Sequence, residues 1–138
     1  MKKTIEKEFL CVKEVSNKYN ISEHTLRYYT DAGLIPTVKR DKNNSRIFNK
    51  DSLNWLSLVI CFRNCGMSIE SIKEYERLCL IGDSTLQDRY KIILDQKKEA
   101  QEAFEQAKIT LDFMNNKVKY YEDIINGKKE DTTNPYNW

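Results

Sequence analysis

Four side chains in one short stretch, His24, Thr25, Arg27 and Tyr28, carry groups that reach phosphate oxygens and base edges. A guanidinium, a hydroxyl, a phenol and an imidazole displayed together suit non-covalent recognition of nucleic acid. The other reactive groups are four cysteines, Cys11, Cys61, Cys65 and Cys79. A cysteine nucleophile needs a base beside it. The only histidine, His24, lies near no cysteine in sequence, and there is no glycine-rich loop to hold phosphates. The reading is therefore a binding protein, not an enzyme, with no cofactor.

The residues that would do this chemistry sit in Ile21-Ser-Glu-His-Thr-Leu-Arg-Tyr-Tyr-Thr-Asp-Ala-Gly-Leu-Ile-Pro36, which reads as a short helix with both ends marked. Ser22 is an N-cap, Gly33 suits the left-handed residue that stops a helix, and Pro36 prevents resumption. Leu26 and Tyr29 face a core, which leaves His24, Thr25, Arg27 and Tyr28 to project elsewhere. Taken alone, the helix fits two readings: a recognition helix, or an amphipathic core helix with a solvated polar face. Residues 11–20 carry Val12, Val15 and Tyr19 at helical spacing. Asn20 can turn the chain there and Ile21 can fill the angle, so the two segments together predict a helix-turn-helix.

Downstream, Val38 and Ile47-Phe48 look like strand residues around the turn chemistry of Asp41-Lys-Asn-Asn-Ser45, a β-hairpin wing. Lys39, Arg40, Lys42 and Arg46 would lie along it. Residues 37–50 hold five basic and one acidic residue, although the whole chain is only +2. Residues 1–81 hold 14 basic against 10 acidic, and residues 82–138 hold 9 against 11. A basic strip beside a recognition helix is an electrostatic footprint for DNA, while a charge run by itself is equally a solvated face.

Asn49 caps a third helix with two apolar stripes, Leu53/Leu56/Ile60 and Trp55/Leu58/Phe62, which predicts burial between neighbours. Ser68 caps a fourth carrying Ile69, Ile72, Tyr75 and Leu78. Residues 84–126 contain no Pro or Gly. Leu86, Ile93, Ala100, Ala107, Met114 and Tyr121 form one sevenfold series. Tyr90, Lys97, Phe104, Leu111, Val118 and Ile125 form a second, offset by four. These are coiled-coil seam positions, and a helix of about 60 Å needs a partner helix, most simply a second copy of this chain. The dimerisation residues are Leu86, Tyr90, Ile93, Phe104, Leu111, Met114, Val118, Tyr121 and Ile125. The expected organisation is a 1–9 extension, a 10–82 winged helix-turn-helix domain, an 83–126 coiled-coil dimerisation helix and a 127–138 flexible tail, mainly α overall.

Thr25-Leu-Arg-Tyr-Tyr29 followed by Gly33-Leu-Ile-Pro36 closely resembles the signature of MerR-type transcription regulators. Arg46-Ile-Phe48 resembles their wing motif, and Cys65-Gly-Met-Ser-Ile69 the link between their third and fourth helices. The wing departs from the family pattern, with Ser45 where Gly is usual and Phe48 where Tyr is usual. The resemblance implies DNA contacts from Ser22, His24, Thr25, Arg27, Tyr28, Tyr29, Lys39, Arg40, Lys42 and Arg46, with Tyr29 weighed also as core. It implies an antiparallel dimer helix and a homodimer on a two-fold operator in double-stranded DNA. It further implies activation by distorting an overlong promoter spacer so that RNA polymerase, an indirect partner, engages both promoter elements. No effector domain is expected after residue 126.

The cysteines have three readings. Cys61 and Cys65, four apart, share a helix face, but a closed metal site needs three or four ligands. All four can be small buried hydrophobes. By the resemblance, Cys61 stands where a thiol-sensing branch responsive to reactive aldehydes has its cysteine; Cys65, one turn away, is placed as a candidate resolving thiol. No apolar run reaches the ~18 residues of a membrane span, and the polar start is unlike a secretory signal. The expected location is the cytoplasm, away from any membrane. The alternatives are a coiled-coil interaction module with a degenerate helix-turn-helix, and a regulator responding to a metal or small ligand.

Overall fold

The computed structural model describes residues 8–138, so the expected 1–9 extension lies largely outside the described residues. The chain divides into two compact units, one ending at Gln96 and the other spanning Lys97–Trp138.

The first unit begins with a strand, β1 (Leu10–Cys11), leading directly into α1 (Val12–Tyr19). Asn20 takes the left-handed conformation, φ 53°, that Asn tolerates better than most residues, and this ends α1. The Ser16 hydroxyl donates to the Ile21 carbonyl at 2.6 Å, which fixes the corner into α2 (Glu23–Asp31). The hairpin follows as β2 (Lys39–Arg40) and β3 (Arg46–Phe48), then α3 (Lys50–Asn64), α4 (Ile69–Ile81) and α5 (Leu86–Ile125). The strands form a three-stranded antiparallel sheet in the order β1-β3-β2. The architecture is a mainly helical winged helix-turn-helix followed by a long helix.

The core joins Val15 of α1, Leu26 and Tyr29 of α2, Leu34 and Ile35 after it, Phe48 of the wing, Leu56 and Val59 of α3, Met67 and Ile72. Phe48 is fully buried, so its ring serves packing.

Three expectations need correction. Cys11 is not in the first helix. It is the N-cap of α1 and the end of β1, where it pairs with Ile47, because β3 offers an open edge that the preceding residues can fill. Val38 precedes the strand that it was expected to join, and packs partly against the core instead. In α3 the fully buried line is Ser52, Leu56 and Val59, which shares only Leu56 with the expected stripes; Leu53, Ile60, Trp55 and Phe62 are half-buried against the core on either side of it. Ser52 tolerates this position because Asn49 caps onto it and the Thr37 hydroxyl donates to its Oγ at 3.1 Å.

In the second unit, the end of α5 meets the tail. The Trp138 indole N–H donates to the Thr132 carbonyl at 2.7 Å, and the Tyr120 hydroxyl lies 3.1 Å from the Thr132 hydroxyl. Lys129 stands over the Tyr120 ring. The segment expected as a flexible tail thus has specific contacts with the helix that precedes it.

One buried group has no partner. Glu76 of α4 is 3% exposed and its Oε1 has no hydrogen-bond partner among the described residues. Burial pushes its pKa up from 4.5 to about 8. The folded chain therefore holds this proton more tightly than the unfolded chain. The stability tied to it is complete below the unfolded value and is lost as pH rises towards the folded one. Glu76→Gln is expected to leave urea unfolding at about pH 4 nearly unchanged and to stabilise the protein at about pH 9 by roughly 2 kcal/mol.

Candidate nucleic-acid interface

A helix as short as α2 is marginal in water without help. Two devices hold it. The Ser22 side chain accepts from the Thr25 backbone N–H at 3.0 Å, and Leu26 and Tyr29 bury in the core. These anchors fix the rotation of the helix, so His24, Arg27 and Tyr28 are exposed together, with Tyr28 51% exposed. Thr25 is half-buried and accepts the Ser22 hydroxyl at 2.8 Å. Arg27 lies 3.8 Å from Glu23 one turn back, with both side chains nearly half exposed. Such a pair is weak, and the guanidinium can exchange it for a phosphate. Tyr29, proposed from sequence as both contact and core, is placed with the core.

The wing is built by its own polar groups. One Asp41 carboxylate oxygen accepts the backbone N–H groups of Asn43 and Ser45, each at 2.9 Å. Asn44 carries the positive φ, 61°. Because the left-handed residue is Asn44, Ser45 needs no glycine-like freedom. Arg40 donates to the Asn44 carbonyl at 2.9 Å. Lys39, Arg40 and Lys42 are exposed. Arg46, expected along the hairpin with them, is bonded elsewhere: its Nη2 donates to Asp31 Oδ1 of α2 at 2.5 Å. Asp31 carried no role in the sequence reading. Its signal was an acid in the last turn of a helix with no basic residue there, a position that the helix dipole disfavours.

The cysteines differ from their buried reading. Cys11, Cys61 and Cys65 are exposed in this chain, and Cys79 is half-buried. Cys61 and Cys65 fall on the side of α3 away from Ser52, Leu56 and Val59, as 100° per residue requires. The Cys65 carbonyl accepts the Gln96 side-chain amide at 2.9 Å, a link between α3 and α5 that periodicity does not reveal.

Every expected dimerisation residue, from Leu86 and Tyr90 through Ile93, Phe104, Leu111, Met114, Val118 and Tyr121 to Ile125, is an exposed large hydrophobic in the single chain. The helix α5 has no buried residue among its 40. No helix among the described residues is long and apolar enough to cross a membrane.

Comparison with known proteins gives the same picture. The family model described as "MerR HTH family regulatory protein" matches residues 11–79. A Haemophilus influenzae protein described as an uncharacterized HTH-type transcriptional regulator is 36% identical over 109 residues, 79% of this chain and 81% of its own. The solved structure of HiNmlR, "a MerR family regulator lacking the sensor domain, bound to promoter DNA", matches with a TM-score of 0.76 at 34% identity, covering 84% of this chain and 92% of that one. A MerR family transcriptional regulator from Bacillus thuringiensis matches with a TM-score of 0.73 at 27% identity, covering 82% and 99%.

Proposed function

The chain belongs to the MerR family of helix-turn-helix regulators, and from that premise we propose that it acts as a homodimer, reading a two-fold-related operator with α2 and the wing of each protomer. The observation that carries this reading is the shared exposure of His24, Arg27 and Tyr28 on α2, with Lys39, Arg40 and Lys42 on the adjoining hairpin. Ser22 and Thr25, at the N-terminal end of α2, join the same contact surface. Phosphate contacts from the wing set the register, and the side chains of α2 read base edges in the major groove.

Dimerisation in this reading runs through the unburied seam of α5, antiparallel as in the family. Burying nine large apolar side chains is strongly favourable in water. The unit ending at Gln96 works as the DNA-binding half, with the functional boundaries at 10–82, 83–126 and 127–138. The dimer activates a cytoplasmic promoter by distorting an overlong spacer, and RNA polymerase gains contact with both promoter elements indirectly. Part of the specificity then comes from DNA deformability. The HiNmlR structure, bound to promoter DNA and lacking a sensor domain, supports this form of regulator.

The exposure of Cys61 and Cys65 supports a thiol as the input. An adduct on Cys61 would sit in the helix between wing and dimer helix, and would shift the balance between two DNA-bound arrangements.

Three outcomes test the reading. On a duplex selected by the protein from a randomised library, Lys39→Gln or Arg40→Gln should weaken binding and lower the slope of log affinity against log salt by about one unit per protomer. A wild type that shows no salt-dependent binding would reject the reading. In sedimentation velocity, Leu111→Asp combined with Val118→Asp should convert dimer to monomer, and a wild type already monomeric at micromolar concentration would overturn the dimer. In transcription in vitro, a small aldehyde should change output for wild type and Cys65→Ser but not for Cys61→Ser. An unaltered response in Cys61→Ser removes that residue as sensor.

A further inference from the structure

Among the basic residues of the wing, Arg46 stands apart. Its side chain is 16% exposed, whereas Lys39, Arg40 and Lys42 are exposed. Its guanidinium reaches back to Asp31 of α2 at 2.5 Å, across an interval of 15 residues. Two independent features of the fold favour this partner, whose carboxylate is itself 63% exposed.

The first is cross-strand charge. In the β2–β3 ladder Arg46 lies directly opposite Arg40. Like charges facing each other across an antiparallel pair are destabilising. The conflict is resolved by sending the two heads apart, Arg40 to the Asn44 carbonyl and Arg46 to Asp31. The second is the end of α2. Asp31 occupies the last turn of that helix, where its carboxylate meets the negative end of the dipole, and no basic residue lies in that turn. Arg46 supplies the missing positive charge from the neighbouring element.

We propose that Asp31 and Arg46 are a positioning pair that locks the wing to the recognition helix, and that Arg46 promotes DNA binding through Asp31 and not through a phosphate. Lys39 and Arg40 precede the hairpin turn and Arg46 follows it. Phe48 anchors the base of the returning strand in the core, and this polar clamp two residues earlier sets where the outer part of the wing meets the backbone when α2 sits in the groove. The proposal rests on the DNA-binding reading above for its consequence, but not for the pair itself.

Charge alone and the clamp make opposite forecasts for Asp31→Asn. If Arg46 were a phosphate contact restrained by Asp31, losing the carboxylate would free it. Binding would tighten and the salt slope would steepen by about one unit per protomer. If the pair is a clamp, Asp31→Asn weakens binding despite removing a negative charge beside DNA, by roughly three- to tenfold, and leaves the slope unchanged. Arg46→Gln should do the same, while Lys39→Gln, at an exposed ammonium, lowers the slope. Arg46→Lys keeps one charged donor on Asp31 and should recover part of the affinity.

The test measures affinity against salt for these four variants on the selected duplex. It also measures amide hydrogen exchange of the β2–β3 ladder in the DNA-free protein, with core amides of α3 as internal reference. Wild-type slope with weaker binding, together with ladder exchange accelerated in Asp31→Asn and Arg46→Gln over an unchanged α3, is the expected result. Tighter binding by Asp31→Asn, a slope reduced in Arg46→Gln as in Lys39→Gln, or ladder exchange identical to wild type would each overturn the clamp. If wild type fails to bind duplex DNA, the functional reading falls, and the exchange measurement still decides whether the pair holds the wing.

Discussion

The burial of Leu26 and Tyr29, three residues apart on α2, is the constraint from which the DNA-facing half of the molecule follows. A helix of nine residues has too little internal hydrogen bonding to persist in water. It exists because one face is anchored among Val15, Leu34, Ile35 and Phe48. That anchoring also sets its rotation. Once Leu26 and Tyr29 point inwards, helical geometry leaves no choice about His24, Arg27 and Tyr28, which must point out. The same core takes Phe48 from the wing, so one apolar cluster sets the relation between the two elements that carry the exposed basic and aromatic groups.

The long helix obeys the opposite logic. None of the 40 residues of α5 is buried in the single chain, yet its apolar residues keep a sevenfold register. In the proposed dimer this stripe finds its neighbour in the partner's copy, and the folding of the helix is coupled to association. In the proposed dimer, the spacing of the two reading heads is then set by seam packing. Gln96 bonds to the carbonyl of Cys65, which ties the end of α3 to the start of this helix. The exposed thiols of Cys61 and Cys65 lie in that same end of α3.

Strong periodicity and caps made most of this legible in sequence. Ser22, Asn49 and Ser68 cap where their side chains predict, and each accepts a backbone N–H of the first turn. The failures have physical causes. Two-residue β1 has no alternation to detect and forms because β3 has an unfilled edge. In α3, apolar residues lie on nearly every side, so period alone cannot select the line through Leu56 and Val59, and a serine completes that line. The cysteines keep three readings in sequence because residue type carries no information about facing, and the rotation of α3 turns Cys61 and Cys65 outwards, against the buried one. Glu76 carries no sequence signal, because a carboxylate in an amphipathic helix is ordinarily solvated, and only the packing around α4 buries it.

Charge is where sequence reading misleads most, because a basic residue looks available until its partner is known. Five basic residues between positions 37 and 50 suggested one uniform strip. In the folded chain they divide by what the hairpin itself requires. Asp41 takes two backbone N–H groups to close the turn, Asn44 takes the left-handed conformation, and Arg40 bonds the Asn44 carbonyl. With the turn held this way, serine suffices at position 45. The ammonium groups of Lys39 and Lys42 stay exposed, while Arg46 is drawn to Asp31. The wing thus divides its cations between making its shape and meeting a polyanion. A mobile hairpin would lose ordering entropy on every encounter with DNA, whereas one already held against α2 has met that cost in folding.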